Sequence, residues 1–306
     1  MKDKALIARY LIFPFFLMAV IAGMQANSPV QQEQESDSFR ISVQSQLVEV
    51  FLTVTEGNQW IPNLEVYEFR LTEDGSQVPV LRIDNQDVPL QIMLLFDVSE
   101  SIRDSLNTIQ DAVAAFVESL NPKDRVTLIL FGSEIIVFPQ ITDDREPILK
   151  AIGNARAGGT TRLNDAMLLG MNLLKDKPGR KAIVCFTDGQ DTAGTTSRKE
   201  VRNAAAQLGF PIYTIGAGAG LELESLKMIL RDFAETSGGR AFFIQNLRRL
   251  REVFIEVAAE LRSAYVLHYY TQVPPDGRWH DLRVETIDPK YTVHARKGFF
   301  ARDAAK

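Results

Sequence analysis

The spacing of apolar positions changes twice along the chain. Within Val43–Gly57 it alternates, Leu47-x-Glu49-x-Phe51 on one side and Val48-x-Val50-x-Leu52 on the other, with Thr53 and Thr55 continuing the same strand. Glu56-Gly57-Asn58 is a turn signal. Glu68–Glu73 and Val78–Ile83 then read as a hairpin around Glu73-Asp74-Gly75-Ser76. From Leu90 the pattern becomes short apolar runs separated by helical periods. The predicted strands are 91–97, 125–131, 181–187, 211–216 and a shorter 240–244. The predicted helices are 102–120, 144–154, 163–175, 198–208 and 221–235. Glu134–Pro139, after Gly132, reads as an antiparallel edge strand. A last helix, Leu247–Arg262, sets Leu250, Val253, Phe254, Val257, Ala258 and Leu261 on one face. Strand texture then returns at Ala264–Thr271, His280–Thr286 and Tyr291–Ala295, with Gly298-Phe299-Phe300 after them.

Alternating strands and helices predict a mostly parallel, doubly wound sheet covered by helices on both faces. Each β flank is too short to close a sandwich alone. The economical solution is that the flanks pair with each other. The fold class expected is α/β, residues 90–262, inserted into a β-sandwich built from residues 39–89 and 263–302.

The ends and the composition narrow the setting. Met1–Ala26 reads as an export signal: Lys2, Lys4 and Arg9 precede an apolar run from Tyr10 to Met24, broken by Pro14 and short for a membrane span of ~20 residues. Residues 27–38 are polar without a period and read as a linker. The expected location is periplasmic or extracellular, with no stable membrane insertion once the signal is cleaved. A net charge of −5 with scattered cations gives no footprint for nucleic acid. Arg248, Arg249 and Arg251 read as a solvated helix face. The single cysteine, Cys185, lies inside an apolar run and reads as a core thiol.

Candidate chemistry gathers at strand ends. Ile92–Phe96 is a strand buried on both faces, and it runs into Asp97-x-Ser99-x-Ser101. A glycine-led loop, Gly158-Gly159-Thr160-Thr161-Arg162-Leu163-Asn164-Asp165-Ala166, precedes a helix, and Thr187-Asp188-Gly189-Gln190-Asp191 follows another buried strand. Open α/β sheets bind ligands at this carboxyl edge. Carboxylates and hydroxyls from three loops, completed by water, suit a hard cation such as Mg²⁺. The competing reading for Ser99 and Ser101 is simple capping of the following helix. Asn164 and Asp191 read as capping or turn residues. Gly216-Ala217-Gly218-Ala219-Gly220 lacks the GxGxxG spacing and reads as a tight turn. His268, His280 and His294 lack zinc-ligand spacing, and Trp60 and Trp279 fit either a sandwich core or an exposed contact.

The three segments together resemble the metal-ion-dependent adhesion site of von Willebrand factor type A domains. The matching residues are Asp97, Ser99, Ser101, Thr161 and Asp188, with Thr160 as the alternative to Thr161; Ala166 keeps the family's offset for Thr161. The flanking β runs resemble, more loosely, the exported von Willebrand A-related proteins of Acidobacteria. The resemblance implies Mg²⁺, with Mn²⁺ or Ca²⁺ as substitutes, bound directly by Ser99, Ser101 and Thr161. It implies that Asp97 and Asp188 act largely through water or hydrogen bonds. The ion would then capture an Asp or Glu on a protein or matrix partner, and in relatives such capture can shift the final helix, here Leu247–Arg262. Glu100 stands where the family favours a small residue. The alternative is a structural or assembly module of the envelope whose metal only stabilises the fold. A hydrolase is disfavoured: a haloacid-dehalogenase-type phosphatase needs an acid where Ser99 stands, and neither a G-x-S-x-G elbow nor a strand-end histidine is present.

Overall fold

The computed structural model describes residues 46–301, apart from 58, 86–87, 143 and 219–222. The expected signal and linker, and part of the glycine turn after residue 218, lie outside the described residues.

The continuous apolar runs become the centre of a six-stranded sheet. β6 (Leu90–Asp97) is buried along its whole length and is flanked by β7 (Arg125–Phe131) and β9 (Arg180–Thr187), both parallel to it. With β8 (Ile135–Thr142), β10 (Ile212–Ala217) and β11 (Ala241–Ile244) the order is β11-β10-β9-β6-β7-β8, and only β8 is antiparallel. Alternate residues of β6 face opposite layers. Ile92, Leu94 and Phe96 pack with α1 (Leu106–Ser119), α2 (Glu146–Asn154) and α6 (Leu250–Ser263). Met93 and Leu95 pack with α3 (Leu163–Leu174), α4 (Arg198–Leu208) and α5 (Glu224–Ser237), in the layer that also holds the buried thiol of Cys185. The sheet is therefore doubly wound, as the alternation implied.

The two flanks pair with each other. β1 (Leu47–Glu56) runs antiparallel to β12 (Tyr265–Tyr270) from Leu47↔Tyr270 to Leu52↔Tyr265. β3 (Phe69–Glu73) runs antiparallel to β13 (Trp279–Thr286). One sheet has the order β14-β1-β12-β5, with the short β2 (Gln59–Trp60) beside β1; the other is β15-β13-β3-β4. Here β4 is Ser76–Val78, β5 Arg82–Asp84, β14 Thr292–Ala295 and β15 Gly298–Phe300. Their inner faces share Val50, Leu52, Leu71, Leu267 and Leu282. Phe51, on the other face of β1, packs into the α/β core. Between α6 and β12 stands only Ala264.

Two boundaries differ from the sequence expectation. The strand expected over Val78–Ile83 is two strands in two sheets, β4 pairing with β3 and β5 with β12. Pro79, which has no N–H to give a ladder, falls at the break. The helix expected from residue 102 begins as a 3-10 turn, Glu100–Ser105, and becomes α-helical only at Leu106.

Two of the histidines, which lack zinc-ligand spacing, contact carboxylates instead. His268 is buried with Nε2 3.0 Å from Asp84 Oδ2. His280 sits between Asp74, 2.7 Å from its Nδ1, and Asp276, 3.2 Å from its Nε2, and so ties two turns of the sandwich together. Burial works against its charge, but the hydrogen bonds to Asp74 and Asp276 outweigh it and raise the His280 pKa. A raised folded-state pKa gives stability that is complete below the unfolded value of about 6.5 and is lost as pH rises through the folded value. Urea unfolding at pH 6 and pH 8.5 is expected to show His280→Gln losing stability against the parent at pH 6, with the gap narrowing at pH 8.5.

Candidate metal centre

Three loops meet at the carboxyl end of β6 because backbone hydrogen bonds hold them there. Val98 N donates to Phe131 O at 2.8 Å, Gly158 N to Val98 O at 2.9 Å, and Glu100 N to Gly159 O at 3.1 Å. The glycine-led loop is thereby fixed against the Asp97–Ser101 turn. On its other side, Thr192 N donates to Thr161 O at 2.9 Å, and Thr161 N donates to Thr192 Oγ1 at 3.0 Å.

Asp97 is fully buried. Its Oδ1 accepts from Ser99 N at 2.8 Å and its Oδ2 from Thr187 Oγ1 at 2.5 Å. Ser101 Oγ donates to Asp188 Oδ1 at 2.5 Å and stands 3.1 Å from Ser99 Oγ. Asp188 is 9% exposed, whereas Ser101 reaches solvent. The capping reading of the serines is thus set aside: neither hydroxyl caps the 3-10 turn or α1. Both turn inward to the carboxylates.

The two threonines separate cleanly. Thr160 hydrogen-bonds Ser133 through both its N–H and its hydroxyl, at 3.0 and 3.2 Å, on the exposed side of the loop. Thr161 is buried and faces the other loops. A methyl carbon built on Gly189 would lie 3.2 Å from Thr161 Oγ1 and 3.6 Å from Ser101 Oγ. Glycine at 189 therefore keeps open a small space bordered by hydroxyls from two segments. Asp97, Ser99, Ser101, Thr161 and Asp188 are brought together; Thr160 is not.

Electrostatics show what this arrangement lacks. Burial pushes the Asp97 carboxyl up to about 6, against the hydrogen bonds from Ser99 and Thr187 that favour its charge. Burial likewise raises Asp188, against the hydroxyl of Ser101. The ion pairs of the surrounding loops, Arg103–Glu100 and Arg162–Asp165, leave both carboxylates aside. Buried charge is costly unless paired, so two such carboxylates beside three hydroxyls fit a divalent cation. Among the described residues no three carboxylate, imidazole or thiol groups converge as a ligand set. An ion here would rely on hydroxyl oxygens, which suits a hard ion more than zinc.

Supporting residues were only partly visible in the sequence. Asp191 accepts from Asn164 N and Gly194 N, both at 2.7 Å, so it holds the start of α3. Asp165 accepts from Thr195 N, Thr196 N and Arg162, which draws its carboxyl well below the usual range despite partial burial. Thr187 is the hydroxyl that fixes Asp97. Its place beside Asp188 was the only signal, and nothing in spacing distinguished a buttress from a ligand. Ser133, which draws Thr160 away, carried no signal at all.

An open α/β sheet with a cluster of carboxylates and hydroxyls at its carboxyl edge defines the class of protein. The model of the von Willebrand factor type A domain matches residues 91–256, more than half of the chain, and the chain belongs to that family. Among solved structures it resembles a von Willebrand factor type A protein from Catenulispora acidiphila, at 15% identity and a TM-score of 0.51, over 85% of this chain and 64% of that one. It also resembles proximal thread matrix protein 1 of the mussel byssus with a zinc-occupied MIDAS motif, at 18% identity and a TM-score of 0.51, over 62% of this chain and 50% of that one. At these identities the likeness concerns the fold. Among curated proteins it is 23% identical over 200 residues to a UPF0353 protein of Mycolicibacterium gilvum, covering 56% of this chain and 60% of that protein. It is 22% identical over 218 residues to human inter-alpha-trypsin inhibitor heavy chain H4, covering 64% of this chain and 23% of that protein. The chain thus spans less than two thirds of the length of these relatives.

Three substitutions test the site. Thr161→Ala is expected to weaken Mn²⁺ or Mg²⁺ binding, read by isothermal titration, by roughly 10–100-fold, with Thr160→Ala changing it little. Asp97→Asn removes a buried charge while keeping its shape. In metal-free buffer it is expected to melt no lower than the parent, and to lose the thermal shift on adding Mg²⁺.

Proposed function

We propose that the chain is a Mg²⁺-dependent protein-binding module that captures an acidic group of a partner. One observation carries the reading: two buried carboxylates without a cationic partner stand beside three hydroxyls, at a rim that opens to solvent through Ser101. Ser99, Ser101 and Thr161 would hold the ion, and Asp97 and Asp188 would orient those hydroxyls and balance part of its charge. Bound there, Mg²⁺ supplies positive charge at a coordination position open to an external carboxylate. The chain's own work is placement. Thr187 and the Ser99 amide fix Asp97, Gly189 keeps the space open, and Asp191 and Asp165 hold the adjoining loops. No proton need move, so the site suits adhesion better than catalysis. Partners of this kind are proteins or matrix bearing Asp or Glu, and the setting proposed is periplasmic or extracellular. Among the described residues no helix is long and apolar enough to cross a membrane.

Capture from native envelope extract, with Mg²⁺ and with chelator, tests the reading. Retention of the same partner in both, or unchanged retention by Asp97→Ala, would end it. Loss of capture by Asp97→Ala with unchanged melting supports a bridging metal over one that only stabilises the fold.

A further inference from the structure

The joint between sandwich and α/β body contains a second concentration of uncompensated charge, of the opposite sign. A cavity of about 180 Å³ opens between the start of β1, the ends of α3 and α4, the start of β9, and the β14–β15 turn. Arg296, Lys175 and Lys181 line it, together with Glu49, Gln46 and Gln207. Three cations thus face one carboxylate.

Arg296 is the informative residue. It is 3% exposed, and no described carboxylate lies within ion-pairing distance of it. Its Nη2 donates to Glu49 O at 2.7 Å and its Nη1 to Ala206 O at 3.4 Å, while its Nε has no acceptor. A guanidinium carries five N–H donors, so two carbonyls leave most of its capacity unused. The fold brings it there at some cost. Gly209, with φ of 72°, ends α4 where a side chain would run into Arg296 Nη1 at 2.5 Å. The single carboxylate is already shared: Glu49 lies 3.5 Å from Lys181 Nζ and 3.9 Å from His268 Nδ1. Lys175 stands at the end of α3 without a described ion-pair partner.

The carbonyl ends of α3 and α4 offset part of this charge through their dipoles, by a fraction of a unit each. A full negative charge is still missing. With water occupying about 30 Å³ in the liquid, the cavity holds a few waters or one small tetrahedral anion. Gln46 and Gln207 add amide donors for its oxygens.

We propose that this cavity binds a phosphate-type oxyanion, which closes the joint between the sandwich and the α/β body. Lys181 and Lys175 supply its ammonium contacts, and buried Arg296 supplies the charge that lies behind them. This site shares no residue with the metal centre and does not depend on the reading given for it.

The test is thermal unfolding of the full chain, without added divalent ion, in chloride buffer against phosphate, sulfate or glycerol 3-phosphate at matched ionic strength. Phosphate and sulfate stabilise most proteins weakly by exclusion from the surface, and that effect rises without saturating. A bound anion instead raises the midpoint along a saturation curve. The parent is expected to show saturation and a ³¹P line-width increase with inorganic phosphate. Lys175→Gln, at the exposed end of the cavity, is expected to fold and to weaken the affinity, and the double variant Lys175→Gln, Lys181→Gln, whose second position is mostly buried, is expected to weaken it at least tenfold. Saturation with glycerol 3-phosphate as well would identify a phosphoryl group on a larger molecule as an accepted ligand. A midpoint that climbs in parallel for parent and double variant, with no line broadening, would overturn the proposal.

Discussion

The constraint that governs the carboxyl edge of this protein is the burial of two acid groups with nothing positive beside them among the described residues. Asp97 is the last residue of a strand covered on both faces, and Asp188 follows the neighbouring strand. Their hydrogen bonds come from hydroxyls and backbone amides, which favour a charged carboxylate but do not cancel its charge. The arrangement is costly for the isolated chain, and a cation bound there would offset the cost. A fold tuned for its own stability alone would place leucine or asparagine at position 97. That an acid stands there, at the sheet's binding edge, is the physical case for a site built around something outside the chain.

The sandwich meets the α/β body at the opposite, amino end of the sheet, where Glu49 of β1 lies beside Lys181 at the start of β9. The even positions of β1, Val48 to Val54, enter the sandwich core, and Phe51 on its other face enters the α/β core. Its odd positions include the polar Glu49, Thr53 and Thr55, yet six consecutive positions from Val50 to Thr55 are buried, so both faces of the strand are covered there. Arg180 extends the bond between the parts. It is buried at the start of β9, and it donates to Val88 O, Leu261 O and Ala264 O at 2.8–3.1 Å. The charge that Arg180 spends on carbonyls of the insertion's two ends is thus structural, and Arg296 differs from it in having only two such carbonyls.

Most of the architecture could be read from the chain because its signals were local. Buried parallel strands are continuous apolar runs, and the helices repeat at their own period, so β7 and α4 begin and end where their patterns do. The pairing of the flanks followed from their length. What escaped were features decided by tertiary partners. Pro79 marked a break, but only the two sheets show that Val78 and Arg82 belong to different layers. In the site, Asp97, Ser99 and Ser101 were legible because they share one short segment, and Asp188 because it directly follows a buried apolar strand. Thr161 was preferred over Thr160 only through the family's offset from Ala166; the physical reason, the bond from Thr160 to Ser133, lies 27 residues away in sequence and carried no signal. The histidine pairs with Asp74, Asp84 and Asp276 were invisible for the same reason: their spacing along the chain carries no period.

The last helix shows how the two layers bear on the metal centre. Glu260, 2% exposed, accepts from Tyr213 Oη at 3.1 Å and from Arg240 Nη1 at 2.6 Å, which ties α6 to β10 and to the start of β11. One turn of helix further on, Arg180 holds the carbonyls of Leu261 and Ala264. Beyond Ala264 the chain enters β12, which is paired with β1 over six positions. An axial shift of α6 would therefore have to break an ion pair that is buried only on its Glu260 side, release two carbonyls and slip a strand register, and slipping by one residue turns every β12 side chain to the wrong face. Releasing the carbonyls costs on the order of 1–3 kcal/mol, and the half-exposed ion pair adds less, before the register is counted. An isolated α/β domain, whose final helix ends in solvent, bears none of these costs. Insertion into the sandwich thus fixes the helix that packs against Phe186, next to Thr187 and Asp188, and favours a site held in one geometry.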